Sequence, residues 1–113
     1  MNRSDYLELH KQFCDKAREL SARKNSDYAG HAGDKPFANF EGVEAMGITS
    51  TERGFLVRMT DKLSRLSTFC DGGIFEVKDE SVEDTCMDLV NYAILFYAFV
   101  KGKKDGHVDQ IKE

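Results

Sequence analysis

The stretch Glu80–Val100, ESVEDTCMDLVNYAILFYAFV, decides the fold. At about 100° per residue, Glu80, Asp84, Asp88 and Asn91 fall on one narrow stripe. Beyond Cys86 nearly every other side is apolar. A helix that is hydrophobic all round belongs in the middle of a helical bundle. Asp79 or Ser81 is expected to cap it, and Gly102 to stop it just after Lys101. Its longest apolar run, Leu89 to Val100, is interrupted by Asn91 and falls short of the roughly 20 residues that cross a bilayer.

Working outward, the same helical spacing recurs. Ser4 is expected to N-cap a first helix whose stripe runs Tyr6, Leu7, His10, Phe13, Cys14, Ala17 and Leu20, ending near Lys24. Asn25 to Lys35, with Gly30 and Gly33, reads as a loop. Pro36 suits the first turn of a short helix carrying Phe37, Phe40, Val43 and Met46, which Gly47 stops. Thr49 with Glu52 forms a capping-box pattern opening the third helix in chain order, a long one. Its expected apolar face is Phe55, Leu56, Met59, Leu63, Leu66 and Cys70, and Asp71, Gly72 and Gly73 end it. Ile74 to Lys78 is a connector or a short extended piece. The expectation is an all-α fold: a small bundle of three long helices and one short one, forming a single domain over residues 1–102 with a polar tail at 103–113.

Composition narrows the function. The chain has 113 residues, 41% hydrophobic and 32% charged, which suits one globular domain with a modest core. A net charge of −4 argues against a binder of bulk nucleic acid, because counterion release needs a basic surface. It leaves nucleotides open, since a bound cation reconciles an acidic site with phosphate. Cys14, Cys70 and Cys86 lack C-x-x-C spacing. Cys14 and Cys86 fall at apolar helix positions and are expected to be buried free thiols, which implies a reducing cytoplasm. The charged N-terminus is unlike a signal peptide, and no membrane partner is expected. Aromatic residues from Phe37 to Phe40 and from Tyr92 to Phe99 exceed the needs of one small bundle, which points to a homo-oligomer, a dimer or a tetramer.

The acidic stripe is the first candidate for chemistry. A buried carboxylate such as Asp88 must be paired, hydrogen-bonded or metal-bound. Glu80, Asp84 and Asp88 on successive turns offer oxygen donors spaced for a hard cation, Mg²⁺ or Mn²⁺. Asp84 and Asp88 as ordinary ion-pair partners of arginines on the neighbouring helix is the competing explanation. That neighbour carries Arg58, Asp61, Lys62 and Arg65 on one face. Asp61 could complete a metal shell, and the three cations could face phosphate oxygens; a solvated charged face with pairs such as Asp61–Arg65 explains the same pattern. Lys24, Asp27 and Tyr28 form a third element, where Lys24 could reach a phosphate and Tyr28 could stack on a base. A helix end with turn residues accounts for them equally well.

In this order, Lys24-Asn25-x-Asp27-Tyr28, Arg58-x-x-Asp61-Lys62-x-x-Arg65-Leu66 and Glu80-Ser81-x-x-Asp84-Thr85-x-x-Asp88-Leu89-x-Asn91-Tyr92-Ala93 resemble the nucleotide modification associated domain of phages and bacteria. That group is similar to the all-α nucleoside triphosphate pyrophosphohydrolases of the MazG and dimeric dUTPase superfamily. The resemblance spans Leu7 to Lys101. It implies an oligomeric MazG-like helical bundle that binds Mg²⁺ through helix-borne carboxylates and converts a (d)NTP to the monophosphate and pyrophosphate. It implies a metal site at Asp84 and Asp88 with Asp61 or Glu80, with Glu80 also a general base. Phosphate and substrate contacts would come from Lys24, Asp27, Tyr28, Arg58, Lys62, Arg65 and Asn91, in a cytoplasm that is the host's if the gene is a phage's. Asp88 matches the aspartate of the second E-x-x-D motif, whereas Asp84 stands one residue before its glutamate. The first E-x-x-E motif is replaced by Arg58-x-x-Asp61. The fewer acids and added cations also suit a non-catalytic protein that sequesters a nucleotide.

Overall fold

The computed structural model describes residues 1–29, 35–72 and 81–104 of the chain, with side-chain surroundings given outside 25–29. Among these residues all regular structure is helical. The elements are α1 (Arg3–Ala29), α2 (Ala38–Ala45), α3 (Thr51–Gly72) and α4 (Val82–Gly102). The expected three long helices and one short one are present. No described helix is long and apolar enough to cross a membrane. The chain divides into two compact units, Met1–Pro36 and Phe37–Glu113.

The first unit is α1. Its N-cap is Asn2 rather than Ser4: the Asn2 Oδ1 accepts from the Asp5 N–H at 2.8 Å, and its carbonyl accepts from the Tyr6 N–H at 3.0 Å. An asparagine two residues earlier does the work assigned to the serine, because both side chains satisfy an orphan N–H of the first turn. Surface pairs one turn apart, Lys11–Asp15 at 3.1 Å and Arg23–Glu19 at 3.4 Å, line the helix. α1 also runs past Lys24 to Ala29, so Asn25 to Ala29 is helix rather than loop. None of those five residues is glycine or proline, and their weak helix propensities add little against propagation. Cys14 is exposed rather than buried, with its Sγ 3.8 Å from His10 Nδ1 one turn back.

In the second unit, Phe37 serves as N-cap of α2, its carbonyl accepting from the N–H groups of Phe40 and Glu41. Pro36 therefore lies in the turn before the helix, not in its first turn. At the other end the Ile48 N–H donates to Val43 O at 2.9 Å and the Gly47 N–H to Glu44 O at 3.0 Å. This double closure needs a left-handed residue, and Gly47 supplies it at φ 78° without a Cβ penalty. The expected Thr49–Glu52 capping box is not formed. Ser50 Oγ accepts from the Arg53 N–H at 3.2 Å, and Glu44 Oε1 takes both the N–H and the hydroxyl of Thr51 at 2.9 and 3.0 Å. Glu52 is drawn away to Lys103, whose Nζ donates to Glu52 Oε2 at 2.6 Å. That bond ties the start of α3 to the end of α4.

Phe55 on α3 is fully buried and gathers the aromatic rings of all three helices. It stacks on Phe40 at 4.3 Å between centroids, and meets Phe96, Phe37 and Phe99 at 6.1, 6.5 and 5.9 Å. Tyr92 closes on Phe40 edge-on at 6.1 Å. Burying each such ring stabilises the fold by roughly 1.5–3 kcal/mol, with roughly 0.5–1.5 kcal/mol more per well-placed pair. Most of the aromatic residues read from sequence as surplus to one bundle are thus core residues of this unit. Gly54 permits the approach of α2: a Cβ there would lie 2.9 Å from Val43 Cγ2.

The buried face of α3 is rotated from the expected one. Leu56 and Leu63 are 48% and 54% exposed and Cys70 is exposed, while Arg58, Lys62, Arg65 and Phe69 are half-buried. Phe55 fixes the rotation by docking on Phe40. The residues one and two heptads on, Lys62 and Phe69, then fall on the same side and are half-buried. Nor is α4 buried on all sides: Val90, Ile94 and Tyr97 remain open at 36%, 57% and 66%.

Candidate functional site

The seam between α3 and α4 carries the candidate site. Its centre is an ion pair: Lys62 Nζ lies 3.0 Å from Asp88 Oδ2, with the side chains only 14% and 13% exposed. At that burial each charge requires the other, because desolvating either alone costs several kcal/mol. Here the competing explanation of Asp88 holds in its general form, an ion pair with the neighbouring helix, although the partner is a lysine. Arg58 and Arg65 lie one turn on either side of Lys62. The Arg58 guanidinium sits 5.1 Å from the centre of the Phe40 ring, a cation–π contact that holds its fork beside the seam. Arg65 Nε is 3.3 Å from Asp61 Oδ2 along the same helix, with Asp61 59% exposed. Asn91 is half-buried, nearly one turn beyond Asp88.

Asp84 has a different occupation. Ser81 Oγ accepts from the Asp84 N–H at 3.0 Å, and Asp84 Oδ2 accepts from the Ser81 N–H at 3.3 Å. This reciprocal capping box starts α4. The signature, Ser81 followed three residues later by an acid, was legible in the sequence. Between the two aspartates, Thr85 is fully buried and its hydroxyl has no hydrogen-bond partner among the described residues. An unmet buried hydroxyl costs about 1–3 kcal/mol. Its threonine is β-branched and looks like core from sequence, so spacing gave no sign of it.

The three described acids of the proposed metal set are therefore engaged: Asp61 with Arg65, Asp84 with its own cap, Asp88 with Lys62. Among the described residues no group of three or more metal-ligating side chains is disposed to hold an ion. Glu80 lies outside the described residues. The donor chemistry of Asp84 and Asp88, hard oxygens one turn apart, suits Mg²⁺ or Mn²⁺, but a cation there must take them from Ser81 and Lys62. Lys24 is half-buried on α1. Asp27 and Tyr28 are on the same helix by backbone, and their side chains lie outside the described residues.

The chain matches no known protein-family model, no curated protein and no solved structure.

Proposed function

We propose that the α3–α4 seam handles the phosphates of a nucleotide, and that the chain is a Mg²⁺- or Mn²⁺-dependent pyrophosphohydrolase releasing pyrophosphate from a (d)NTP. The observation supporting this reading is the largely buried Lys62–Asp88 pair flanked by Arg58 and Arg65. It sets a cation that can turn to phosphate beside a carboxylate that can turn to metal. Phosphate oxygens would be met by Lys62 and by the two guanidinium forks. Asn91 would add an amide to the substrate. Asp84 and Asp88, with Glu80 or Asp61, would hold the metal, which when bound polarises the phosphoryl group and activates water. The working form is a homo-oligomer.

A second reading is favoured by a specific observation. Asp84 is committed to the capping box and Asp61 to Arg65, which leaves a seam better supplied for holding phosphates than for cutting them. On that reading the chain sequesters a nucleotide without hydrolysing it. Equilibrium dialysis of nucleotides against wild type and Lys62→Met separates both from a structural role: at least a tenfold loss of retention is expected in the variant. Equal retention would remove Lys62 from the site.

A further inference from the structure

The bonds along the α3–α4 seam leave one kind of group over. Thr85 is fully buried, and its hydroxyl has no hydrogen-bond partner among the described residues. A helical threonine has an ordinary outlet, since its Oγ1 can donate to the carbonyl three or four residues back. Thr60 on α3 takes it, donating to Leu56 O at 2.9 Å. Thr51, also buried, donates instead to Glu44 Oε1 at 3.0 Å. One turn before Thr85, the Ser81 carbonyl accepts from the Thr85 N–H at 3.1 Å, yet the hydroxyl does not join it. A buried polar group kept without a partner calls for an explanation, and a role with a bound ligand supplies one.

The place of Thr85 on α4 identifies the group it serves. It lies three residues before Asp88, which makes the two side chains neighbours on one helix surface. Asp88 reaches Lys62 on α3 at 3.0 Å with both side chains largely buried, so this surface of α4 is turned to α3. The ammonium balances the carboxylate there. A ligand phosphate that draws Lys62 away removes that balance, and a buried carboxylate then requires another donor. Metal binding through one carboxylate oxygen has the same consequence, because the other oxygen is ordinarily held by a hydrogen bond. Asp84, one turn before Asp88, is itself an acceptor and takes the Ser81 N–H. The Thr85 hydroxyl is a donor, and it gives up no bond in turning to Asp88.

We propose that Thr85 is a positioning residue of the seam, its hydroxyl donating to the Asp88 carboxylate when Lys62 turns to a ligand's phosphate. This rests on the phosphate-handling reading and adds the group that keeps Asp88 in place once the ion pair opens. The test compares full-length wild type, Thr85→Val and Thr85→Ser. Equilibrium dialysis with Mg²⁺ uses α,β-imido analogues of the (d)NTPs, whose bridge the proposed reaction does not cleave. Thermal denaturation without nucleotide runs alongside. Valine keeps the shape and removes the unmet hydroxyl, so Thr85→Val is expected to melt at or above the wild-type temperature. Its nucleotide retention should nevertheless fall at least tenfold. Thr85→Ser keeps the hydroxyl and should retain nucleotide to within about threefold of wild type. Stability kept while binding is lost, with recovery in serine, is a combination that a packing role does not give. Three results would overturn the role of the hydroxyl while leaving the seam reading in place: undiminished retention in Thr85→Val, a lower melting temperature there, or no recovery in Thr85→Ser. A folded wild type that retains none of the analogues would overturn both.

Discussion

Lys62 and Asp88 face each other across α3 and α4 at 3.0 Å, almost wholly out of water. A pair in that position stabilises little by existing, but removing one member strands the other. Lys62→Ala or Asp88→Ala alone should cost about 3 kcal/mol of unfolding free energy. Lys62→Met with Asp88→Leu should cost less than either single change. Urea denaturation of the four proteins measures the coupling; additive losses would mean that the pair carries no mutual dependence.

Phe55 and Leu56 are adjacent in sequence and opposite in fate, one fully buried and the other half open. Phe55→Ala removes the ring on which Phe40, Phe96, Phe37 and Phe99 converge and should cost about 3–5 kcal/mol. Leu56→Ala should cost well under about 1 kcal/mol, because little surface is withdrawn from water there. Equal losses would mean that α3 is rotated from the orientation described.

The Lys103 ammonium beside Glu52 holds its carboxyl below the ordinary value of 4.5, outweighing the opposing effect of burial. A depressed folded value means that the contribution is present above the unfolded value and lost as pH falls through the folded one. Glu52→Gln should therefore destabilise by roughly 0.5–1 kcal/mol at pH 7 and by less at pH 3. Guanidinium denaturation at the two pH values checks the sign; an effect that grows on acidification would contradict it.

The number and type of helices were legible because Phe, Leu and Val recur at helical spacing and Gly47, Gly72 and Gly102 punctuate the chain near the ends of α2, α3 and α4. Which face turned inward was less legible. Leu56 and Leu63 look more like core than Lys62, yet the docking of Phe55 on Phe40 sets the rotation, and that is a tertiary choice no local pattern encodes. The site shows the same division. Acid and base on consecutive helices announced an encounter, and Asp88 meets Lys62 as charge balance requires. Asp84 was harder to assign because one carboxylate type serves both as helix cap and as metal ligand. Only the reciprocal bonds with Ser81 show which occupation holds here. Ser4, Thr49 and Pro36 lost their expected capping and first-turn places to neighbours one or two residues away, since several polar side chains or a free carbonyl can satisfy the same orphan groups.

The most direct test of the phosphate-handling seam is incubation of the full chain with a panel of (d)NTPs and Mg²⁺ or Mn²⁺, reading released pyrophosphate and retained nucleotide together. Metal-dependent pyrophosphate release from at least one nucleotide, lost by at least a hundredfold in Asp88→Asn, is the predicted result. Tight retention of one nucleotide without turnover would select the sequestering reading of the same seam. Neither release nor retention of any nucleotide would contradict the account.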